Sequence, residues 1–372
     1  MSDPSLRVLS VFGTRPEAVK MAPVVQRLAG TAGVESRVCV TAQHREMLDQ
    51  VLHLFDIHPD YDLDLMEPDQ ALAELTAAIF RGLGPVLDGF QPHWILVQGD
   101  TTTVMAAAIL AYYRRIRVGH VEAGLRTGDK WQPFPEEINR RIAGVVADLH
   151  FAPTERAREN LLREGIAPSA IVLTGNPVID ALRSIADLPY EVAGGPLAAV
   201  PFDRKIILVT AHRRENFGAP MEAMFTAIRR LAEARGDVHV VYPVHLNPNV
   251  RQPAERILGG VGTISLVDPL EYLPMVHLMK RCTLILTDSG GLQEEGPALG
   301  KPVLVMRKVT ERPEAIEAGT AVLVGHDPDR IVAEVSRLLD DPAAYQSMAR
   351  AVNPFGDGHA AERIVEAVIA HR

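Results

Sequence analysis

Short, continuously apolar runs recur along the chain and constrain its fold more than any other feature. They cover residues 7–12, 36–42, 94–100, 118–123, 149–153 and 170–175 in the first half, and 205–211, 239–244, 263–268, 283–288, 302–307 and 321–325 in the second. Strands without polar alternation are typical of parallel sheets that helices cover on both faces. Helical patterns such as 16–29 and 331–341 separate the runs. The alternation predicts two doubly wound α/β domains.

Length and composition exclude several classes of protein. The 372 residues are enough for two domains, which the Pro-, Gly- and Ala-rich stretch 186–203 is expected to connect. The net charge of −9, without any Lys/Arg block, argues against nucleic-acid binding. We find no signal-peptide pattern, and the apolar run 104–113 is far shorter than the ~20 residues of a membrane span. Cys39 and Cys282 are expected to be core residues of a cytoplasmic protein without membrane contact.

The carboxyl ends of the predicted strands are where ligands bind in doubly wound sheets. After the first run, "FGTRPEAVK" fits a capping box with Thr14 as N-cap and Glu17 three residues later. This leaves Arg15 and Lys20 unexplained, because cations are mildly unfavourable near a helix N-terminus. We expect an anion to lie beside them.

Carboxylates follow three further segments of the first half. Asp100 ends the run 94–100, where a helix N-cap explains it as well as a catalytic role does. Glu122 ends the run 118–123, and a carboxylate at a buried edge needs partners. Glu136 and Glu137 lie in a proline-flanked segment that fits either a loop over a ligand or a solvated helix start. Two carboxylates at neighbouring strand ends can serve as acid and base.

Strand ends of the second half carry cations and glycines. His212, followed by Arg213, is a candidate for contacts with phosphate oxygens. Arg312 lies in "TERPEA", whose likeness to "GTRPEA" we interpret as shared helix-start chemistry and not as a duplication.

The stretch "LTDSGGLQEE" (286–295) combines glycines with acids. Gly290 and Gly291 let backbone N–H groups approach an anion at a helix start, and Glu295 can accept hydrogen bonds from ribose hydroxyls. The stretch predicts a site for a nucleotide diphosphate.

Motifs of other enzyme classes are missing from the sequence. No G-x-G-x-x-G follows a predicted strand, which disfavours a dinucleotide cofactor. Neither His-Glu-x-x-His nor paired Cys-x-x-Cys occurs, so no zinc site is expected. We expect neither a metal nor an organic cofactor.

Many ordered motifs together resemble those of the non-hydrolysing UDP-N-acetylglucosamine 2-epimerases. They include "VFGTRPEAVKMAP", "GDTTT", "GHVEAGLRTGD", "TGNPVIDAL", "AHRRENFG", "YPVHLNPNV", "LTDSGGLQEE" and "TERPEA". The resemblance implies two Rossmann-like doubly wound domains in a GT-B arrangement, with the active site in the interdomain cleft. The expected domains are residues 1–177 and 178–359, with a C-terminal helix at about 360–372 that crosses back to the first domain. A homodimer is the expected assembly.

The resemblance also implies roles for individual residues. The expected catalytic residues are Asp100, Glu122, Glu136 and His212. Contacts to UDP-N-acetylglucosamine are expected from Arg15, Lys20, Met275, Ser289, Gly290, Gly291, Glu295 and Arg312, with His212, the 289–291 turn and Arg312 on the diphosphate. Some relatives carry a second, activating nucleotide-sugar, whose contacts match Gln43, Arg213, Glu215 and His245. Leu270 and Met275 stand where close relatives often have Gln and Phe near the uracil, and Gly296 where Ala is usual.

The implied reaction is epimerisation at C2 through anti elimination of UDP and readdition to 2-acetamidoglucal, without a cofactor. Three alternatives stay open at this point. They are a GT-B glycosyltransferase that uses a UDP-sugar, a hydrolysing 2-epimerase that releases N-acetylmannosamine, and a UDP-sugar sensor without catalysis.

Overall fold

A computed structural model describes residues 5–41, 45–65 and 70–372. The chain divides into two compact units. The first consists of Met1–Ala181 together with Phe355–Arg372, and the second of Leu182–Pro354. The division falls inside a helix.

The first unit is a parallel sheet with intervening helices. In chain order its elements are β1 (Leu6–Phe12), α1 (Arg15–Ala29), β2 (Val34–Val40), α2 (Arg45–Leu54), β3 (Tyr61–Asp62), α3 (Leu72–Phe90), β4 (Trp94–Gln98), α4 (Thr102–Tyr113), β5 (Arg117–Val121), α5 (Glu136–Val146), β6 (Leu149–Ala152), α6 (Glu155–Arg163), β7 (Ile171–Leu173) and α7 (Pro177–Ala186). The strand order is β3-β2-β1-β4-β5-β6-β7. All pairs are parallel, so the carboxyl ends of the strands lie along one edge.

The second unit repeats this plan. Its elements are β8 (Lys205–Thr210), α8 (Ala219–Ala234), β9 (Val238–Pro243), α9 (Pro248–Leu258), β10 (Ile264–Val267), α10 (Tyr272–Arg281), β11 (Leu284–Thr287), α11 (Leu292–Ala298), β12 (Val303–Val305), α12 (Pro313–Glu317), β13 (Ala321–Leu323), α13 (Pro328–Asp340) and α14 (Pro342–Ala349). The strand order is β10-β9-β8-β11-β12-β13, again parallel. The last helix, α15 (Ala360–Ala370), belongs to the first unit.

Two doubly wound α/β units are therefore confirmed. Each of the twelve apolar runs forms a strand, with ends that differ by no more than two residues from the prediction. β3 was missed: it consists of two residues, which pair with Cys39 and Val40 of β2. Such a short edge strand carries no apolar run of its own.

Apolar side chains from strands and helices form a core in each unit. Val11, Val97 and Leu87 belong to the core of the first unit, and Val209 and Phe225 to that of the second. Sheets covered on both faces explain why the strand sequences lack polar alternation.

Both cysteines are free, buried residues of the interior, as predicted. Burial raises the pKa of the Cys39 and Cys282 thiols to about 12. Inert thiols of this kind act as small apolar side chains.

The C-terminal helix α15 is held by polar contacts within the first unit. The Asp180 carboxylate accepts hydrogen bonds from the N–H groups of Ala360 (3.2 Å) and Ala361 (2.9 Å), which start the helix. Arg363 donates through Nη1 to the carbonyl of Thr174 at 2.9 Å. An acid on α7 therefore satisfies buried N–H groups at the start of α15 that have no acceptor within the helix.

No helix in the described part of the chain is long and apolar enough to cross a membrane.

Candidate active site

The turn after β1 contains the predicted capping box. Thr14 is the N-cap of α1; its backbone N–H donates to Glu17 Oε2 at 2.7 Å, and its hydroxyl accepts from the Glu17 N–H. Gly13 is required by a close approach, since a Cβ there would lie 2.1 Å from Thr41 Oγ1. Burial raises the pKa of Glu17, and its hydrogen bonds, foremost the one from Thr101, oppose that shift.

Arg15 and Lys20, the two cations that the capping box does not explain, have different surroundings. Lys20 Nζ lies 2.7 Å from both carboxylate oxygens of Glu122. Arg15, at the first position of α1, is half-buried and forms no hydrogen bond or ion pair with any described residue. The protein itself thus supplies an anion for Lys20, while the guanidinium of Arg15 is available to a ligand.

Glu122 is a buried carboxylate in a strained backbone position. It follows β5 with φ of 62°, a left-handed conformation that is costly for a residue with a side chain. Besides Lys20, the side-chain amides of Gln98 (to Oε2) and Asn176 (to Oε1, 2.9 Å) donate to it. These donors give the carboxylate the partners that its position at a strand end required. They favour its ionised form.

Asp100 does not cap α4, contrary to the structural explanation that the sequence offered. Thr101 is the N-cap, and its hydroxyl accepts from the Val104 N–H. The side chain of Asp100 instead accepts a short hydrogen bond from Arg140 Nη2. Its backbone carbonyl accepts from Asn139 Nδ2 at 3.0 Å. Because capping does not account for Asp100, a chemical role gains weight.

Glu136 and Glu137 differ although they are adjacent. Glu136 begins α5, is half-buried and has no hydrogen-bond or ion-pair partner among the described residues. Glu137 is fully buried, accepts from the Thr127 N–H at 3.1 Å and pairs with Arg140 (3.4 Å) and Arg141 (3.0 Å). A solvated helix start is therefore wrong for Glu137. Arg140 links this buried acid to Asp100, so the start of α5 is fixed beside the end of β4.

The second unit holds a buried acid beside its candidate histidine. Asp288 is fully buried and accepts from the backbone N–H groups of His212 (3.0 Å) and Arg213 (2.9 Å), and from Asn216 Nδ2 (2.9 Å). The His212 ring is 38% exposed, with Nδ1 3.8 Å from Asp288 Oδ1. Burial lowers the pKa of His212, and the Asp288 charge opposes this shift. The ring is accessible while its backbone is anchored.

The glycine turn after β11 has room for side chains at both glycines. Neither Gly290 nor Gly291 has a positive φ, so the backbone conformation does not demand glycine. A Cβ on Gly290 would approach only Arg213 Nη2 (3.4 Å), and one on Gly291 only Glu295 Oε2 (3.4 Å) and the Ser289 hydroxyl (4.0 Å). Neither the backbone conformation nor the packing of the described residues therefore explains the two glycines.

Two buried acids of α11, Glu294 and Glu295, bind side chains from other segments, and the sequence alone did not predict these pairs. Arg312 donates a short hydrogen bond from Nε to Glu294, which is 3% exposed, and its backbone N–H donates to Thr310 Oγ1 at 3.0 Å. Glu295 accepts from the Tyr272 hydroxyl at 2.8 Å. Arg312 is therefore oriented by an acid that lies outside its own motif.

The residues expected near the uracil lie at α10. Met275 is in the helix and half-buried, whereas Leu270, which precedes it, is buried. Neither position is filled by a polar side chain that would read a base edge.

Three of the four residues expected to contact a second nucleotide-sugar can be described. The rings of His245 and His212 stack with centroids 5.8 Å apart, and Glu215 lies 3.0 Å from Arg307 Nη2. Arg213 lies beside the glycine turn. Gln43 falls outside the described residues.

Sequence reasoning missed the side chains that orient the candidate residues. These are Gln98, Asn176 and Arg140 in the first unit and Tyr272, Asp288 and Glu294 in the second. Each ends or follows a strand or lies in a helix that follows a strand, which is a usable signal for position. Their partners depend on tertiary folding. Among the described residues, no cluster of three or more His, Cys, Asp or Glu side chains could hold a metal ion.

Comparisons with known proteins decide the family. The model of the UDP-N-acetylglucosamine 2-epimerase family matches residues 26–369. A UDP-N-acetylglucosamine 2-epimerase of Escherichia coli O157:H7 is 58% identical over 373 aligned residues, with 99% of each chain covered. The chain belongs to the UDP-N-acetylglucosamine 2-epimerase family. The resemblance drawn from the sequence motifs is confirmed as far as the family is concerned.

Solved structures of the family have the same fold. The epimerase of Neisseria meningitidis, bound to UDP-GlcNAc, is 48% identical with a TM-score of 0.89, covering 98% of this chain and 100% of that chain. The Methanocaldococcus jannaschii epimerase, in complex with UDP-GlcNAc and UDP, is 32% identical with a TM-score of 0.80 at the same coverage.

Proposed function

We propose that the protein interconverts UDP-N-acetylglucosamine and UDP-N-acetylmannosamine by inverting C2 without hydrolysis. The observation that carries this proposal is the Glu122 site: a strained, buried carboxylate held by Lys20 and two amides, with a second, arginine-paired carboxylate, Asp100, after the neighbouring strand β4. Family membership supplies the substrate class. A nucleotide-binding module would not need this arrangement of acids.

The second unit is proposed to bind the nucleotide. The open turn Ser289–Gly290–Gly291 presents N–H groups to the diphosphate, and Arg312 and His212 contact its oxygens. Glu295, anchored by Tyr272, accepts hydrogen bonds from the ribose. Met275 makes apolar contact with the uracil.

The first unit is proposed to act on the sugar. The C1–O bond to UDP breaks and positive charge builds at C1, which acidifies the C2–H bond. A carboxylate then takes the C2 proton, leaving 2-acetamidoglucal and UDP. Return of a proton to the opposite face of C2 and attack of the UDP oxygen on C1 give the epimer. The proton is not adjacent to a carbonyl, so departure of UDP must assist its removal.

The residues have separate roles in this proposal. Asp100 and Glu122 serve the two faces of C2, each acting as base in one direction and as acid in the other. Glu136, which has no described partner, contacts the sugar. Arg15, Arg312 and His212 stabilise the negative charge that develops on the departing UDP.

A deuterium experiment tests the proposal. The protein is incubated with UDP-N-acetylglucosamine in D₂O, without NAD or metal, and C2 is followed by NMR. Elimination and readdition should place deuterium at C2 of the epimer and of the recovered substrate. Asp100→Asn and Glu122→Gln should suppress exchange far more than they weaken UDP binding. Inversion without deuterium would exclude the mechanism, and normal exchange in both variants would exclude these carboxylates.

The same experiment separates the alternatives. A glycosyltransferase breaks the bond at C1 but leaves C2–H intact, and a sensor leaves the sugar unchanged. A hydrolysing epimerase releases free N-acetylmannosamine instead of its UDP derivative. Homodimeric assembly, a cytoplasmic location, the domain limits at 177 and 359 and a second, activating nucleotide-sugar stay predictions.

A further inference from the structure

Asn176 is a buried amide that follows β7 and whose side chain has two functions. Its Nδ2 donates to Glu122 Oε1 at 2.9 Å. Its Oδ1 accepts from the Val178 N–H at 3.2 Å, as an N-cap does at the start of α7. The residue is 1% exposed.

We infer that Asn176 is a positioning residue that sets the orientation of the Glu122 carboxylate. The inference rests on the proposed role of Glu122. The backbone on either side of Glu122 is fixed, because the Gly99 N–H donates to the Val121 carbonyl (3.0 Å) and the Ala123 N–H to the Phe151 carbonyl (3.0 Å). The orientation of the Glu122 side chain therefore depends on the groups that donate hydrogen bonds to it.

The hydrogen-bond donors of Glu122 have different effects on its carboxylate. Lys20 Nζ lies at the same distance, 2.7 Å, from both oxygens, so it supplies charge without selecting one oxygen. Asn176 contacts Oε1 and Gln98 contacts Oε2. Two amides on different oxygens define the plane of the carboxylate. That plane decides which lone pair can reach a proton on the substrate.

The amide of Asn176 is itself oriented by the helix that it caps. Its oxygen faces the Val178 N–H, so its NH₂ group must face Glu122. The Asn176 N–H also donates to the Phe355 carbonyl at 2.7 Å. Next to this bond, a Cβ on Gly175 would lie 3.0 Å from the Cα of Gly356. The C-terminal segment therefore fixes the backbone of Asn176, while its side chain contacts Glu122.

The Asn176→Asp variant separates positioning from folding. Aspartate has the same shape and is as good an N-cap, so α7 should keep its start. It cannot donate when ionised, and it places a second carboxylate against Glu122, so the two carboxyl groups titrate as a pair whose upper apparent pKa lies above the pKa of Glu122 in the wild type. We expect the acidic limb of the kcat profile to move up by about one pH unit or more, with kcat at neutral pH about tenfold lower. KM should change less than about threefold, because the nucleotide contacts are intact.

Two further variants act as controls. Asn176→Ser keeps a capping hydroxyl but lacks both the amide donor and the new charge, so kcat should fall and the acidic limb should move up by less than in Asn176→Asp. Asp341→Asn makes the reverse carboxylate–amide exchange at the N-cap of α14, where the side chain accepts from Ala343 and Ala344 N–H groups. It should leave kcat, KM and the pH profile unchanged.

A readout independent of activity keeps this inference distinct from the proposed function. The carboxyl ¹³C shift of Glu122, assigned by its loss in Glu122→Gln, is titrated in wild type and in Asn176→Asp. A higher apparent pKa in the variant supports the contact even if Glu122→Gln proves active, which would overturn the proposed function alone. An unchanged titration together with an unchanged pH profile would overturn the inference. So would a loss of the fold in Asn176→Asp, because it would show that the amide serves stability.

Discussion

Two turns with the same four letters, Arg-Pro-Glu-Ala, start helices in the two units and are built differently. In residues 15–18 the acid is the buried member: Glu17 is 3% exposed and accepts hydrogen bonds from the N–H groups of Gly13 and Thr14 and from the Thr101 hydroxyl. Arg15 has no partner in the described part of the chain.

In residues 312–315 it is the cation, Arg312, that is held by a buried partner. Arg312 is the N-cap of α12, so the helix starts one position later relative to the motif than α1 does. Its guanidinium pairs with the buried Glu294, and Glu314 is half-buried in the first turn. The same four residues therefore form two different turns. In the first, Glu17 accepts hydrogen bonds from the backbone of its own turn, whereas in the second Glu294 of α11 orients Arg312.

The residue before each motif explains the difference. Thr14 can cap, and a capping threonine with an acid three positions later forms the reciprocal box. Glu311 occupies the matching place before Arg312 and does not cap, while Thr310, one residue earlier, accepts from the Arg312 N–H (3.0 Å) and donates to Gln293 (2.5 Å). The two turns therefore do not share the same helix-start chemistry, contrary to the interpretation of their likeness, because a capping box is present at the start of α1 and not at the start of α12.

The largest expected effect is on stability, at Glu17. Glu17→Ala leaves three buried or half-buried donors without an acceptor and should lower the free energy of unfolding by about 3 to 5 kcal/mol. Glu17→Gln keeps an acceptor for the Gly13 and Thr14 N–H groups and should cost only about 1 kcal/mol. Glu314→Ala, the matched change in the second turn, should cost less than about 1 kcal/mol. Urea unfolding midpoints of the three variants test this order, and equal losses for Glu17→Ala and Glu314→Ala would contradict it.

The next effect is on binding, at Arg312. Removing one charge-assisted contact to the diphosphate should weaken UDP binding in Arg312→Ala by about 1.5 to 3 kcal/mol, and turnover should fall with it. The variant also leaves Glu294 buried without this partner, so its stability should fall. The double variant Arg312→Met/Glu294→Gln should recover the stability but not the UDP affinity. Calorimetry with UDP and thermal unfolding measure the two quantities, and wild-type affinity in Arg312→Ala would remove this residue from the site.

The smallest effect is expected at Arg15. Because no described residue bonds its guanidinium, Arg15→Ala should leave the free energy of unfolding unchanged within about 0.5 kcal/mol. Binding of UDP-N-acetylglucosamine should still weaken by about 1 kcal/mol, since a charged contact to the ligand is lost. The expected pattern is thus opposite to that of Glu17→Gln, which should change stability more than binding. If Arg15→Ala changed the unfolding midpoint but bound the ligand with normal affinity, Arg15 would have a structural role and not a binding role.

Much of the fold was predictable because it depends on local pattern. Continuous apolar runs gave the strands of both sheets, and Thr14 with Glu17 gave the start of α1, since capping acts over three residues. β3 was missed because a two-residue strand exists only through its neighbour. The capping explanation of Asp100 was wrong because Thr101 stands one residue later and competes for the same role.

The sequence by itself determined the parallel α/β architecture, the family and the strand ends where acids, cations and glycines collect. Only the tertiary structure decided which of these groups meet: Lys20 with Glu122, 102 residues apart, and Arg312 with Glu294, 18 apart. The physical reason is that periodicity and capping act between near neighbours in the chain. An ion pair requires only that two groups be close in space, and the order of strands in a sheet decides that.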